Sequence, residues 1–460
     1  MNPIPENWNN VSVTLVGMGR SAVGAATLLA HHGARPFVTD VSDGASLAPW
    51  CEALDALGIP YEIGGHTARA WEAPAVVIVS PGVPPSIAPL EAMRERGVPV
   101  IGELELASRF AQAPVLAVTG TNGKTTVTEL LHHVVQALGF RSRLAGNNHT
   151  SFSAAVLDDE MPDYYVLEVS SYQLETVDRF APWIGAILNL TPDHLGRHGD
   201  MKGYGAAKAR LFGAGTRTAQ CAILNADDAE VVALSLPSGI EKSVFSVETA
   251  PPLGLYSDGA SLWIDGEKAG ALQFPLPGRH NRANVLAALT VLHVGGFDMA
   301  ACLGALTSFT GVAHRLEHLG VLAERHWYND SKSTNIDSLR VALESFEEPV
   351  VLLAGGQGKG SSYDSIRATV GEHVRHMVAF GVEAPVLAKA FQGETDVHVV
   401  QDMVEAVRLA HHLSAPGETI LLSPGCASFD QYDNFEARGE HFRTVVRQLD
   451  QEELHPCTEK

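Results

Sequence analysis

Leu116-Ala117-Val118-Thr119-Gly120-Thr121-Asn122-Gly123-Lys124-Thr125-Thr126 is the stretch on which the fold turns. Its first four residues read as a short, largely apolar strand. The next seven bring two glycines, a lysine and three threonines to the point where a helix should open. Strand, glycine-bearing turn and helix start form the context of a phosphate-binding loop. Glycines let backbone N–H groups curl around phosphate oxygens, and a helix N-terminus adds positive potential. In that reading Lys124 bridges the β- and γ-phosphates of a nucleotide and the Thr125 hydroxyl holds Mg²⁺. The loop departs from GxxxxGK[ST] because Val118 occupies the first glycine position. The plain alternative is a glycine-rich turn capped by threonine.

The same rhythm extends in both directions. Val11–Gly17, Phe37–Asp40 and Val76–Ser80 precede the loop as strand-like segments. Tyr164–Val169, Ile184–Leu190, Cys221–Asn225, Val350–Ala354, Val378–Gly381 and Ile420–Ser423 follow it. Near-continuous apolar strands alternating with helices predict an α/β fold of parallel sheets covered on both faces. A chain of 460 residues exceeds one ordinary core. Gln112-Ala113-Pro114 reads as one inter-domain joint and Thr310-Gly311 as a second. Three domains are expected, at 1–102, 103–311 and 312–460, with no short repeat.

Composition narrows the function. A formal net charge of −21 argues against nucleic acid or an anionic membrane as partner, since both select for clustered Lys and Arg. A phosphorylated small substrate needs only local cations and backbone N–H groups. The first ten residues lack a basic segment followed by an apolar one, and no uncharged apolar run approaches the length of a membrane span. The expectation is a cytoplasmic protein. Its 5 cysteines are scattered and show no CxxC spacing, so neither a disulfide framework nor a zinc site is indicated.

Other strand ends carry chemistry. Gly17-Met18-Gly19-Arg20-Ser21-Ala22, with Asp40 downstream, is a GxGxxA fingerprint that announces a diphosphate without naming NAD. Ser80-Pro81-Gly82 ends another strand; a plain proline turn is the alternative. Glu168 at a strand tip is a natural Mg²⁺ ligand. His194 follows a further strand, though a lone histidine is more often structural. Lys208 sits among alanines and reads by default as a solvated or snorkelling side chain. Asn329–Asn335, Gly355–Gly360 and Ser423–Gln431 are three polar strand-end loops that predict a cleft at one edge of the last sheet.

With these segments in hand, the chain resembles the Mur ligases, the ATP-dependent amino-acid ligases of peptidoglycan synthesis. GTNGKTT, LEVSSYQLET from Leu167, NLTPDH from Asn189, YGAAKARLF from Tyr204, GRHNRAN from Gly278, His314-Arg315 and NDSKSTN from Asn329 carry the likeness. The segment from Ser423 to Phe442 is similar to the D-glutamate-adding branch. The resemblance spans about 430 residues and rests on the order and spacing of these motifs.

The resemblance implies a Rossmann-like domain for a UDP substrate, a central P-loop-type ATPase domain with a mainly parallel sheet, and a Rossmann-like amino-acid domain. It implies ligation of D-glutamate to UDP-N-acetylmuramoyl-L-alanine through an acyl phosphate, using ATP and two Mg²⁺ ions; the chain is separately expected to act as a monomer. Gly120, Thr121, Asn122, Gly123, Lys124, Thr125, Thr126, Asn281, Asn284, Arg315, Asp330 and Lys332 fall on ATP positions. Thr125, Glu168, His194 and a carbamylated Lys208 fall on metal positions, and Lys124, Glu168, His194 and Lys208 on catalytic ones. Arg20, Ser21, Asp40, Ser80, Pro81, Gly82, Asn147 and His194 fall on UDP-substrate positions. Thr334, Lys359, Ser428, Phe429 and Phe435 match the D-glutamate site, where Lys359 is the obvious cation for a carboxylate.

Two departures stand out. The family's Gly-Asn-Ile-Gly stretch reads Gly146-Asn147-Asn148-His149 here, and the arginine often found just after the family's first-domain aspartate is missing after Asp40. The competing readings are a Mur-type ligase for another amino acid, a nicotinamide oxidoreductase built on the first glycines, and a non-catalytic nucleotide-binding protein. The oxidoreductase leaves GTNGKTT unexplained. A non-catalytic protein has no need to keep Lys124, Glu168, His194 and Lys208 together.

Overall fold

The computed structural model describes residues 3–215, 217–274, 276–358, 360 and 362–454. Among these, the strands form sheets of five, nine and six, with helices packed between successive strands. Backbone proximity groups the chain into two compact units: one runs to Gln273 and includes Ala283–Thr307, and the other joins Phe274–Arg282 to Ser308–Lys460. No described helix is long and apolar enough to cross a membrane.

In the first unit, the five-stranded sheet is parallel in the order Tyr61–Glu62, Arg35–Thr39, Ser12–Val16, Val76–Val79, Val100–Gly102. Its central strands are almost wholly buried and largely aliphatic, with the buried Thr14 hydroxyl donating to the Ala70 carbonyl at 2.7 Å. The nine-stranded sheet places Val115–Thr119 between Ile184–Ile187 and Tyr164–Glu168, all parallel. Beyond its parallel part lies an antiparallel border, Leu255–Ser257, Ser261–Ile264 and Glu267–Ala271. Asp265 and Gly266 both take positive φ in the last hairpin, the conformation a two-residue turn between twisted strands requires.

The second unit holds the six-stranded sheet. Thr419–Leu422 lies between Arg325–Asn329 and Val350–Gly355, all parallel, while Glu317–Leu322 adds an antiparallel edge. Trp327, Val351, Leu353 and Phe442 share one face of its core, and Leu339, Leu352, Met377 and Phe391 the other.

The predicted strands recur with shifted ends. Ile184–Leu190 stops at Ile187. The next residues leave the ladder for a physical reason: Asn189 turns to hold the glycine loop, and Leu190 N–H donates to Asp228 Oδ2 at 2.8 Å. Conversely, the expected Val378–Gly381 strand begins at Val374.

Candidate functional site

Each sheet has one strand whose two neighbours connect in opposite directions along the chain. Ligands of parallel sheets bind beyond the carboxyl ends at such points. In the first sheet the central strand Ser12–Val16 delivers Gly17, its neighbours deliver Asp40 and Ser80, and a cavity of about 670 Å³ opens there. Arg20, Ser21, Asp40, Ser80, Pro81 and Gly82 all line it, so six of the expected UDP-substrate residues share one wall. Met18 and Trp50 line it too, and sequence reasoning missed both. Asp40 is already partly engaged: it accepts N–H bonds from Met18 at 2.6 Å and Ser42 at 2.8 Å. Ser80 Oγ donates to the Gly17 carbonyl at 2.8 Å and ties the two loops. Arg20 reaches Asn147 through the latter's carbonyl at 2.9 Å, linking this cavity to the next sheet.

The middle sheet repeats the arrangement with Gly120, Glu168 and Leu188 at its strand ends. Helix Lys124–Ala137 starts on Gly123, whose φ of 84° lies in the left-handed region. A Cβ on Gly123 would stand 2.3 Å from Asn284 Oδ1, so only glycine fits. Gly123→Ala is accordingly expected to weaken ADP binding at least about tenfold, since the left-handed backbone alone costs about 1–2 kcal/mol; calorimetric titration of ADP checks it.

Asn189, quoted within a motif but given no role there, clamps the loop. Its carbonyl accepts Thr121 N–H at 3.0 Å, its Oδ1 accepts Asn122 N–H at 2.8 Å, and its Nδ2 donates back to Asn122 O at 3.1 Å. Thr121 N–H and Asn122 N–H are therefore spent within the protein. The remaining amides of the helix start have no intrahelical acceptor by geometry and stay suited to an anion.

Two lysines converge on one carbonyl. Lys124 Nζ donates to Gly120 O at 2.9 Å and Thr121 O at 2.8 Å, and Lys208 Nζ donates to Gly120 O at 2.8 Å. Lys208 is only 1% exposed, against its default reading as a solvated side chain. Its helix, Met201–Ala209, is capped by Asp200, and Tyr204 one turn earlier places its ring 4.6 Å from the amine. Burial first, and then the charge of Lys124, push the Lys208 amine down to about 6. That shift favours the uncharged amine at neutral pH.

Glu168 is fully buried. Its Oε1 accepts from Asn148 Nδ2 at 2.7 Å and Asn147 Nδ2 at 3.1 Å, while Oε2 has no hydrogen-bond partner among the described residues. Asn148 Nδ2 also reaches Thr125 Oγ1 at 3.2 Å, so two of the expected metal ligands meet on one side chain. Just past Glu168, Ser170 and Gln173 close a capping box that fixes the following turn. His194 is held apart from this group, by Tyr172 Oη at 3.1 Å and Asp193 Oδ2 at 3.4 Å, on a left-handed backbone with φ of 54°. Such a conformation in a non-glycine residue marks functional sites often enough to keep His194 among the candidates.

A divalent cation fits this donor set. A buried, orphaned carboxylate oxygen beside a threonine hydroxyl is hard-oxygen chemistry suited to Mg²⁺. Among the described residues no three His, Cys, Asp or Glu side chains converge.

The second unit presents its own strand-end group. Asp330 is buried, accepts from Ser423 Oγ at 2.8 Å and from Leu316 N–H at 3.2 Å, and is pushed up to about 7 by burial. Lys332 Nζ lies 5.6 Å from the Phe435 ring centroid. Asn281, assigned to ATP, donates to Pro277 O at 2.7 Å within the same unit. Ser428 is buried, Thr334 and Phe435 half-buried, and Phe429 exposed, while Lys359 lies outside the described residues.

The residue that gathers this group was not singled out by sequence. Arg438 is 0% exposed, and its guanidinium donates to the carbonyls of Ser331 (2.8 Å), Cys426 (3.1 Å), Ala427 (3.3 Å) and Gly355 (3.4 Å). Those carbonyls belong to all three strand-end loops. Burial brings Arg438 down to about 10. The one signal in the sequence was an arginine inside the segment that resembles the D-glutamate-adding branch.

Comparison with known proteins follows the same division. Residues 11–102 match the Mur ligase MurD-like N-terminal domain, 118–292 the Mur ligase middle domain and 314–426 the Mur ligase glutamate ligase domain. The UDP-N-acetylmuramoylalanine–D-glutamate ligase of Geotalea uraniireducens is 39% identical over 445 residues, 96% of this chain and 98% of that protein. The protein of the same name from Pelotomaculum thermopropionicum is 38% identical over 453 residues, 96% of this chain and 99% of that one. Among solved structures, the UDP-N-acetylmuramate–alanine ligase of Thermotoga maritima shares the fold, with a TM-score of 0.61 at 20% identity, covering 95% of this chain and 99% of that one. By these matches, across all three sheets, the chain belongs to the Mur ligase family.

Proposed function

We propose that the protein ligates D-glutamate to UDP-N-acetylmuramoyl-L-alanine at the expense of ATP, giving UDP-N-acetylmuramoyl-L-alanyl-D-glutamate, ADP and phosphate in peptidoglycan precursor synthesis. The observation that carries the reading is the near-full-length identity with proteins of that name, 39% over 96% of the chain in one case. The glycine loop, its helix and its converging lysines supply the physical support.

A carboxylate resists an amine until one oxygen becomes a good leaving group. The L-alanyl carboxylate attacks the γ-phosphorus of ATP and ADP departs, leaving an acyl phosphate. The D-glutamate amine attacks the acyl carbon, and the tetrahedral intermediate expels inorganic phosphate as the amine nitrogen gives up a proton. Catalysis is then mainly charge neutralisation and positioning. Lys124 and the helix start bind the phosphates, with Asn284 beside the loop. Thr125, Glu168, His194 and a carbamylated Lys208 would hold two Mg²⁺ ions, which would supply charge neutralisation at phosphate oxygens. Asn281, Arg315, Asp330 and Lys332 serve the nucleotide.

In this reading 1–102 is the UDP-substrate domain, with Arg20, Ser21, Asp40, Ser80, Pro81 and Gly82 around the cavity and Asn147 alongside. Residues 103–311 are the ATP domain and 312–460 the D-glutamate domain, with Thr334, Lys359, Ser428, Phe429 and Phe435 at the amino acid. The protein acts as a cytoplasmic monomer without nucleic-acid or membrane partner; its net charge of −21 supports the last of these.

The test is phosphate release from ATP with UDP-N-acetylmuramoyl-L-alanine, Mg²⁺ and a panel of amino acids. Release together with a new UDP-dipeptide is expected with D-glutamate alone. Turnover with a different amino acid would reassign the last domain, and no turnover at all would reject the UDP substrate.

A further inference from the structure

We propose that Asn148 is a positioning residue that sets the Glu168 carboxylate and the Thr125 hydroxyl for a shared divalent cation. The proposal rests on the reading of Glu168 and Thr125 as metal ligands. Asn148 occupies one of the two positions where this chain leaves the family's Gly-Asn-Ile-Gly stretch. Isoleucine there has no hydrogen-bond donor; asparagine has two.

The geometry uses both. Asn148 Nδ2 lies 2.7 Å from Glu168 Oε1 and 3.2 Å from Thr125 Oγ1, so one amide group bridges two residues 43 positions apart in the chain (168 against 125). Asn147 adds a second donor to the same Oε1 at 3.1 Å. The two amides therefore divide the carboxylate. Oε1 is committed to the protein, while Oε2 stays buried without a hydrogen-bond partner among the described residues. Leaving a buried charged oxygen unmet is costly unless a cation takes it. Thr125, by accepting from Asn148, is held in one orientation and keeps its second lone pair.

The backbone secures the bridge. Gly146 has a φ of 109°, and a Cβ there would stand 2.1 Å from the Glu168 carbonyl. Asn147 N–H donates to that carbonyl at 2.8 Å, and Gly146 N–H to Thr150 O at 2.8 Å. His149 Nε2 stands 3.7 Å from Oε2, beyond hydrogen-bonding reach and within ion-pair range only if the ring is protonated. Partners that orient a ligating carboxylate typically matter 10–100-fold in metal affinity.

Asn148 is exposed, which makes Asn148→Ile and Asn148→Ala mild changes for folding. The experiment measures ADP affinity of the full chain by calorimetry, with and without Mg²⁺, together with melting temperature, for the wild type, both variants and Glu168→Gln. In both Asn148 variants the Mg²⁺-dependent gain in ADP affinity is expected to shrink about 10–100-fold, with metal-free affinity and melting unchanged. A gain within twofold of wild type in both variants, while Glu168→Gln abolishes it, would overturn the proposal and leave the ligand reading standing. An unchanged gain in Glu168→Gln would overturn the ligand reading itself, and the proposal with it. Equal losses in metal-free affinity, or a matching drop in melting temperature, would make the role structural and overturn it as well.

Discussion

Lys208→Ala is expected to slow ligation by about 10²–10³-fold, the effect of removing one charge that stabilises the reacting centre, with part of the rate restored by formate or acetate. The structural basis is an amine that burial and Lys124 have pushed down to about 6. Above that pH the neutral amine would, in the proposed role, attack CO₂, forming an N–C bond and releasing one proton, so an uncharged group would become a carbamate anion. As pH falls through about 6 the amine takes up a proton, loses its free pair and yields less carbamate. Carbon NMR with labelled bicarbonate should show a carbamate carbon in the wild type that fades below that pH and is missing from Lys208→Ala. Full activity in Lys208→Ala would end the proposed role. A small carboxylate rescues the variant because it can occupy the vacated space and return the negative charge.

Glu105→Ala should be the most destabilising single change in the first unit. The carboxylate is fully buried. Its Oε2 accepts three successive backbone N–H groups, from Asp178 (2.9 Å), Arg179 (2.8 Å) and Phe180 (2.8 Å). Its Oε1 takes both Nε (3.0 Å) and Nη2 (2.6 Å) of Arg109. Alanine would strand the three amides and the guanidinium together, and removing one partner of a buried pair costs about 3–5 kcal/mol. Thermal unfolding should show a fall of several degrees or more, and Glu105→Gln, which keeps one acceptor oxygen, should lose less. A loss below about 1 kcal/mol would show that solvent or a rearranged loop satisfies those donors.

What the sequence conveyed follows from the range of each interaction. The run from Leu116 to Thr126 declares strand, loop and helix because its signals lie within one supersecondary unit, and the structure has Val115–Thr119 followed by Lys124–Ala137. The strands with no polar alternation were legible for the same reason. Leu255–Ser257 and its antiparallel neighbours were not, since their Ser, Glu, Lys and Gly residues break the apolar run that marks the other short strands. Lys208 shows the opposite limit. Neighbouring alanines say nothing of its burial, which comes from Gly120, 88 residues away in sequence. Asn189 on the glycine loop and Arg438 across three loops act over 67 and up to 107 residues. No periodicity encodes such contacts; only resemblance or coordinates expose them.

The antiparallel border of the nine-stranded sheet bears on how these molecules coexist at high concentration. Its outermost strand, Glu267–Ala271, is largely exposed and puts Glu267 and Lys268 at the rim, while the register shift beside Leu262 and Trp263 twists the ribbon. A strand from a second molecule could extend the sheet only by burying those charges against a bent edge. The apolar parallel strands behind it, which have the composition of an aggregation template, are thereby shielded from intermolecular growth at this edge.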